Sequence, residues 1–404
     1  MRRLALALLA STPVASLPFA PAIAQAPAKD ENAVFWRSAA MSLEPLVNAN
    51  YACLDDLPGG EFALTETLRQ EAEAVHDRRS LVRFAERAIL LLANHHVNLS
   101  SNLTDSWAIV PTFSDLWVER RGEELIITAV RDGSPASQAG IREGGRLVAV
   151  GGVPTGQALA AFWSDLGTSG SVERDGFAAR LLASGRRNAP RDLTVRDPDG
   201  RERRLELASV YDTDLNRHAE PVEAVKEAGL TTILINNALG NNATIAAFDA
   251  AMRAIPSNAP LVLDLRETPS GGNNTVAEAI MGWFAAEPTP YQWHRDVAAA
   301  RRWGVANQWW QVVAPRGERR HIGPVTVRVG RWTGSMGEGI ALGMARLGAR
   351  VCGGAMAQLK GGAGRSFTIG ESDVGIQLQT QQLMAIDGTP REDFVPPPCT
   401  ATLD

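Results

Sequence analysis

Three cysteines, three tyrosines and six histidines in 404 residues leave little room for several kinds of chemistry. Cys53, Cys352 and Cys399 form no CxxC pair and no HExxH occurs, so the usual zinc-holding spacings are missing. His95 and His96 are adjacent, and neighbours on a regular helix point about 100° apart, so they cannot grip one ion from a helix. We therefore expect no metal and no cofactor. The thiols allow one disulfide in an oxidising compartment, for example Cys352–Cys399, and two buried free thiols fit equally well. A basic excess is also lacking. The formal net charge is −5, which argues against a nucleic-acid-binding protein and for an acidic, solvated surface. The early run LALALLA is short, and Pro13, Pro18 and Pro21 interrupt the residues after it, so no membrane span is expected.

What is present begins with an export signal. Arg2 and Arg3 precede the apolar run, and Ala24-Gln25-Ala26 is a small-x-small cleavage site, so residues 1–26 are set apart from the fold. No cysteine near that cut suggests a lipid anchor. The expectation is an exported chain, periplasmic or extracellular. With 45% hydrophobic residues it can bury more than one core. The rest divides into three sections: a helical one at 27–108, a β-rich one at 109–210, and an α/β one at 211–404. The fold class is α/β multidomain.

Spacing supports each section. SLVRFAERAILLLANHH carries Leu81, Val82, Phe84, Ala88, Ile89, Leu91 and Leu92 at helical intervals, with Ser80 as the expected N-cap. Leu57-Pro58-Gly59-Gly60 splits this region into at least two helices. ELIITAV (124–130) reads as a buried strand, residues 132–156 as turn, short helix, glycine turn and strand, and residues 193–209 as a hairpin turning at Asp-Gly. From 229 onward, strands and helices alternate: GLTTILINN, NATIAAFDAAMRAIP, APLVLDLR, TVAEAIMGWF and GPVTVRVG. That alternation predicts a mostly parallel sheet with functional loops at its strand ends.

The β-rich section resembles a PDZ domain of the kind found in bacterial secreted proteases. The residues that carry the likeness are Gly133-Ser134-Pro135-Ala136, Ala139-Gly140-Ile141, Arg146–Val150 and Gly152-Val153-Pro154, with Gly145 standing where an aspartate is usual. The resemblance implies a peptide C-terminus paired to a strand edge, its carboxylate held by a loop near 113–116. Phe113 and Leu116 are then the peptide-binding candidates.

One short stretch raises the question of catalysis. In TGSMGEG (333–339) a serine stands between a strand ending at Gly330 and a helix expected over 336–347. A hydroxyl there meets the free N–H groups and positive end of a helix, which suits a nucleophile whose oxyanion needs donors. It equally suits a plain N-cap, with Glu338 completing a capping box. Two further stretches add weight to the first reading. DLRETPSGG ends a strand in a glycine pair, and Lys360 sits in the glycine-rich GGAMAQLKGGAG. With GLTTILINN and the closing DGTPREDFVPPP, these motifs resemble, in order, the C-terminal processing (tail-specific) serine proteases and the related tricorn core protease. The resemblance implies a core of crotonase-like or ClpP-like ββα units. It also implies Ser335 as the acyl-forming nucleophile and Met336 with Gly271 or Gly272 as oxyanion donors, the extra residue in DLRETPSGG leaving that choice open.

Two bases fit. The processing-protease pattern points to Lys360, which needs burial to lower its pKa, although Gly364 stands where that branch carries a glutamine. The tricorn-like pattern points to His96 in ANHHVNL with Glu392 near the C-terminus. The sequence thus leads to a secreted serine endopeptidase acting on protein or peptide substrates. The rival reading is a catalytically silent peptide-binding protein on the same fold. Trp303, Trp309, Trp310 and Trp332 precede the serine and could form an apolar wall beside it. The oligomeric state is not readable from the sequence.

Overall fold

A computed structural model describes residues 29–317 and 319–399; the expected export signal lies outside the described residues. Helices α1 (Lys29–Met41), α2 (Leu43–Asn50), α3 (Glu66–Ala74) and α4 (Arg78–Ala88) form the first section. In α4, Leu81, Val82, Phe84, Ala85 and Ala88 share the buried face. Its cap is Asp77 rather than Ser80: the Asp77 carboxylate accepts the Ser80 N–H at 2.7 Å. An acid at this end also meets the helix dipole favourably, which a serine cannot. The helical stretch ends near 93, close to where the apolar spacing places its limit. It tightens into a 3-10 turn at Ile89–Leu92 and stops at Ala93, whose φ of 45° is left-handed. His95 and His96 therefore sit on irregular backbone, where neighbours are free to diverge.

The second section comes after β1 (Asn98–Leu99). It contains β2 (Leu116–Arg121), β3 (Glu124–Val130), α5 (Pro135–Gln138), β4 (Arg146–Val150), β5 (Val153–Pro154), α6 (Thr155–Asp165), α7 (Val172–Ser184), β6 (Arg191–Arg196) and β7 (Glu202–Leu207). The strands form an antiparallel sheet in the order β2-β3-β4-β6-β7, with β5 on β4. α7 lies against β2, and Arg180 of α7 donates to the Val118 carbonyl at 3.4 Å.

The third section contains β8 (Val222–Glu227), β9 (Leu230–Ile235), α8 (Ala243–Ala254), β10 (Leu261–Asp264), α9 (Asn274–Met281), β11 (Thr289–Asp296), α10 (Val297–Trp303), β12 (Asn307–Val313), β13 (Val325–Arg328), α11 (Met336–Arg346), β14 (Arg350–Cys352), β15 (Gly362–Thr368) and β16 (Gly375–Ala385). One sheet runs β14-β13-β10-β9-β8, parallel except for β8. Leu263 faces Ile233 on one side and Val327 on the other, and all three are fully buried. Each such side chain contributes roughly 1.5–3 kcal/mol. The other sheet, β1-β16-β11-β12 with β15 on β16, is antiparallel. Its strands are not obvious from periodicity, because Gln292, His294, Gln379 and Gln381 are buried where alternation would suggest exposed polar faces.

The helical section and the PDZ-like section share one continuous apolar core, whereas the parallel sheet and its helices have another. Trp332, in the loop after β13, belongs to the first core, and its indole N–H donates to the Ser114 carbonyl at 2.9 Å. Cys352 and Cys399 are bonded, which decides between the two readings of the thiols; Cys53 is buried and free.

Candidate active site

The loops leaving the C-terminal ends of β10 and β13 converge on Ser335. Ser335 has φ 51° and ψ −108°, a left-handed geometry that costs a side-chain-bearing residue of order 1–3 kcal/mol. Its N–H is fixed by Glu338, whose Oε2 accepts it at 2.8 Å, while Oε1 accepts the Gln358 N–H, also at 2.8 Å. Glu338 is fully buried, and that burial raises its carboxyl to about 7 against the opposing pull of Arg391. One carboxylate thus ties the serine turn to the loop that carries Lys360.

His96 Nε2 meets Ser335 Oγ at 3.0 Å, and His96 Nδ1 meets the Lys360 carbonyl oxygen at 3.2 Å. A carbonyl can only accept, so Nδ1 holds the proton and the Nε2 lone pair faces the hydroxyl. The backbone around the ring is anchored too. The His96 N–H donates to Asn94 Oδ1 at 3.0 Å, and Gln379 Nε2 donates to the His96 carbonyl at 2.6 Å. Burial, with a smaller effect from the Arg391 charge, lowers the His96 pKa to about 4, so the imidazole is neutral at ordinary pH.

The two other base candidates lie differently. The Lys360 ammonium donates to Asp56 Oδ2 at 2.6 Å, and both side chains are about half exposed. Burial draws its pKa down, but the hydrogen bond and charge of Asp56 outweigh that and leave it raised. The Lys360 ammonium thus faces Asp56, and it is the Lys360 carbonyl that meets His96. Glu392 lies in the 3-10 turn Arg391–Asp393, where burial raises its pKa. No hydrogen bond joins its carboxylate to His96 among the described residues; its backbone oxygen accepts from Gln358 Nε2 at 3.2 Å.

The glycine pair divides its work. The Gly271 N–H donates to the Thr268 carbonyl at 3.1 Å, so it is not a free oxyanion donor. Gly271 instead provides space: with φ 64°, a Cβ there would lie 2.4 Å from the Ser335 Cβ and 3.1 Å from the Met336 nitrogen. The N–H groups of Gly272 and Met336 have no hydrogen-bond partner among the described residues. Both belong to the segments that meet at Ser335.

The expected peptide-binding loop is closed. Asp115 is fully buried, its Oδ2 accepting from Arg191 Nη2 at 2.9 Å and from the Ala136 N–H at 3.0 Å. The N–H groups of Phe113 and Ser114 donate to Ile109 and Pro111. Phe113 stacks on Tyr211 with ring centroids 3.6 Å apart, and Leu116 is core. A carboxylate arriving beside Phe113 and Leu116 would meet this resident one. Of the four tryptophans, Trp332 is buried and the other three are exposed, so they do not form one wall. No cluster of three or more His, Cys, Asp or Glu side chains that could hold a metal occurs among the described residues.

Sequence reasoning missed Asn94, Gln379, Asp56 and the second bond of Glu338. Asn94 stands two residues before His96 and carried the only local signal, an asparagine able to take the following backbone N–H.

Comparison with known proteins agrees with this architecture. The PDZ domain family matches residues 126–161. No curated protein matches the chain by sequence. Among solved structures, mature CPAF complexed with lactacystin is similar at a TM-score of 0.56 and 12% identity, covering 91% of this chain and 93% of its own. The photosystem II D1 C-terminal processing protease is similar at 0.51 and 14% identity, covering 90% and 92%. The chain has the processing-protease fold. A second structure of mature CPAF gives the same result, with a TM-score of 0.54 at 13% identity, covering 91% of this chain and 92% of its own. At these identities the likeness establishes the fold and leaves the chemistry to the site. Among the described residues no helix is long and apolar enough to cross a membrane.

Proposed function

We propose that this protein is a serine peptidase in which Ser335 is the nucleophile and His96 the general base. The observation that carries this reading is the 3.0 Å contact between His96 Nε2 and Ser335 Oγ, with Nδ1 engaged by a carbonyl. His96 takes the hydroxyl proton as Oγ attacks the substrate carbonyl, and the developing oxyanion lies between the Gly272 and Met336 N–H groups. The imidazolium returns its proton to the leaving amine. Water, activated by the same ring, then releases the acyl group from Ser335. Burial penalises the imidazolium, and the adjacent oxyanion offsets that penalty in the transition state, where it is needed.

The substrate class is an extended protein or peptide. A cleft of about 850 Å³ lined by Trp117, Arg174, Phe177, Arg180, Leu359 and Lys360 supports this. It borders the loop that orients His96. The PDZ-like section would guide substrate along that cleft rather than by a carboxylate grip at 113–116. The N-terminal 26 residues support action outside the cytoplasm, in the periplasm or beyond.

The test is cleavage of an unfolded, apolar-tailed protein by the wild type and by Ser335→Ala. Loss of cleavage with an unchanged melting temperature supports the peptidase. Equal cleavage by both refutes it. Binding without turnover by the wild type would support the silent peptide-binding reading instead.

A further inference from the structure

The edge strands of the three sheets are protected in different ways. β2 lies against α7; β7 carries Glu202, Arg203, Arg204 and Glu206; β8 carries Glu223, Lys226 and Glu227. β1 has two residues and β14 three, while β15 carries Arg365. Charge, brevity or cover are the usual means of stopping one sheet from adding to another.

β12 has none of them. Its sequence is NQWWQVV, seven residues without a charge, and it closes one end of its sheet beyond β11. Consecutive residues of a strand face opposite sides. Trp309 is 38% exposed and its neighbour Trp310 54%, so the first half of the strand is open on both faces; on the Trp309 face Gln311 and Val313 are buried, while Val312 stays exposed on the other. Nearby Trp303 and Val305 are exposed at 68% and 63%. Among the described residues, the backbone of this strand bonds only to β11.

We propose that β12 is the seam of a homodimer, pairing antiparallel with the same strand of a second copy about a two-fold axis at Trp310. The uncharged sequence is what selects this occupant. About that axis Trp310 meets the partner's Trp310, Trp309 meets the partner's Gln311, and Gln308 meets the partner's Val312. No like charges are opposed and aromatic surface is covered. A two-fold contact also consumes both free edges at once, closing the assembly rather than extending it. The sheet so joined would contain ten strands, two copies of five. This seam is independent of the peptidase chemistry.

Sedimentation velocity on the full chain across micromolar concentrations tests it. The wild type sediments as a dimer, and Gln308→Lys combined with Trp310→Lys raises the dissociation constant at least about tenfold, because the lysine at 310 now faces its own counterpart and the one at 308 lies diagonal to it. As a second variant, Trp310→Cys under mild oxidation gives a covalent dimer, whereas Gln308→Cys does not, since its counterpart across the axis is residue 312. A monomer at every concentration overturns the proposal, as does a dimer indifferent to the lysines. A monomer that uses these residues to bind phosphatidylglycerol vesicles overturns it too.

Discussion

Two regions of this protein could offer backbone N–H groups to a negative charge, and they have opposite fates. At 271–272 and 336 the glycine segment passes close to Ser335, and the N–H groups of Gly272 and Met336 have no partner among the described residues. At 113–116 the N–H groups are spent within the loop and a buried Asp115 carboxylate occupies the space. The first region keeps two donors beside the serine; the second is filled by a carboxylate bonded to Arg191 at 2.9 Å. An anion site therefore cannot be inferred from loop chemistry alone. What matters is whether the chain has already supplied the anion.

The sharpest way to break this contrast is at the base. His96→Ala should lower kcat by about 10³–10⁴ with unfolded protein as substrate, while the melting temperature holds. Next is the closed loop. Asp115→Ala strands the Arg191 guanidinium, whose side chain is 1% exposed, and should cost about 3–5 kcal/mol in chemical denaturation. It should not create binding of C-terminal peptides, as fluorescence anisotropy would reveal; binding gained there would mean that the loop is a receptor merely blocked. Gly271→Ala comes third. A Cβ 2.4 Å from that of Ser335 must displace the nucleophile, and a shift of about 1 Å costs on the order of 10²-fold in rate. Mildest is the pH profile. With the His96 pKa lowered to about 4, the fall of kcat/KM that reports protonation of the ring should come near that value, apart from any step set by the Glu338 carboxyl near 7. An acid limb near 6.5, the ordinary histidine value, that persists in Glu338→Gln would show that the ring is solvated in the working enzyme.

Much of the fold was legible. β3, β4, β9, β10, α8, α9 and α11 all follow from apolar spacing and turn residues, because each buries one face or lies in a parallel layer. α6 and α7 were not apparent, and neither was the antiparallel sheet of β11, β12 and β16, where buried glutamines and His294 break the alternation. Within the site, Ser335 stood out through its glycines, and His96 through resemblance alone. The choice between His96 and Lys360 could not be made from spacing. It depends on Asp56, some three hundred positions away in sequence, holding the ammonium, and on a backbone carbonyl that no residue type announces. The left-handed turn at Ala93, which ends the 3-10 extension of α4, was equally hidden, since alanine rarely adopts φ 45°.

The most direct measurement is the rate at which a peptidyl phosphonate labels the full-length protein, followed by intact mass for wild type, His96→Ala and Lys360→Ala. A nucleophile activated by His96 gives one adduct on Ser335 in the wild type, nearly the same rate in Lys360→Ala and almost none in His96→Ala. Labelling that survives loss of the histidine and disappears with the lysine would contradict it.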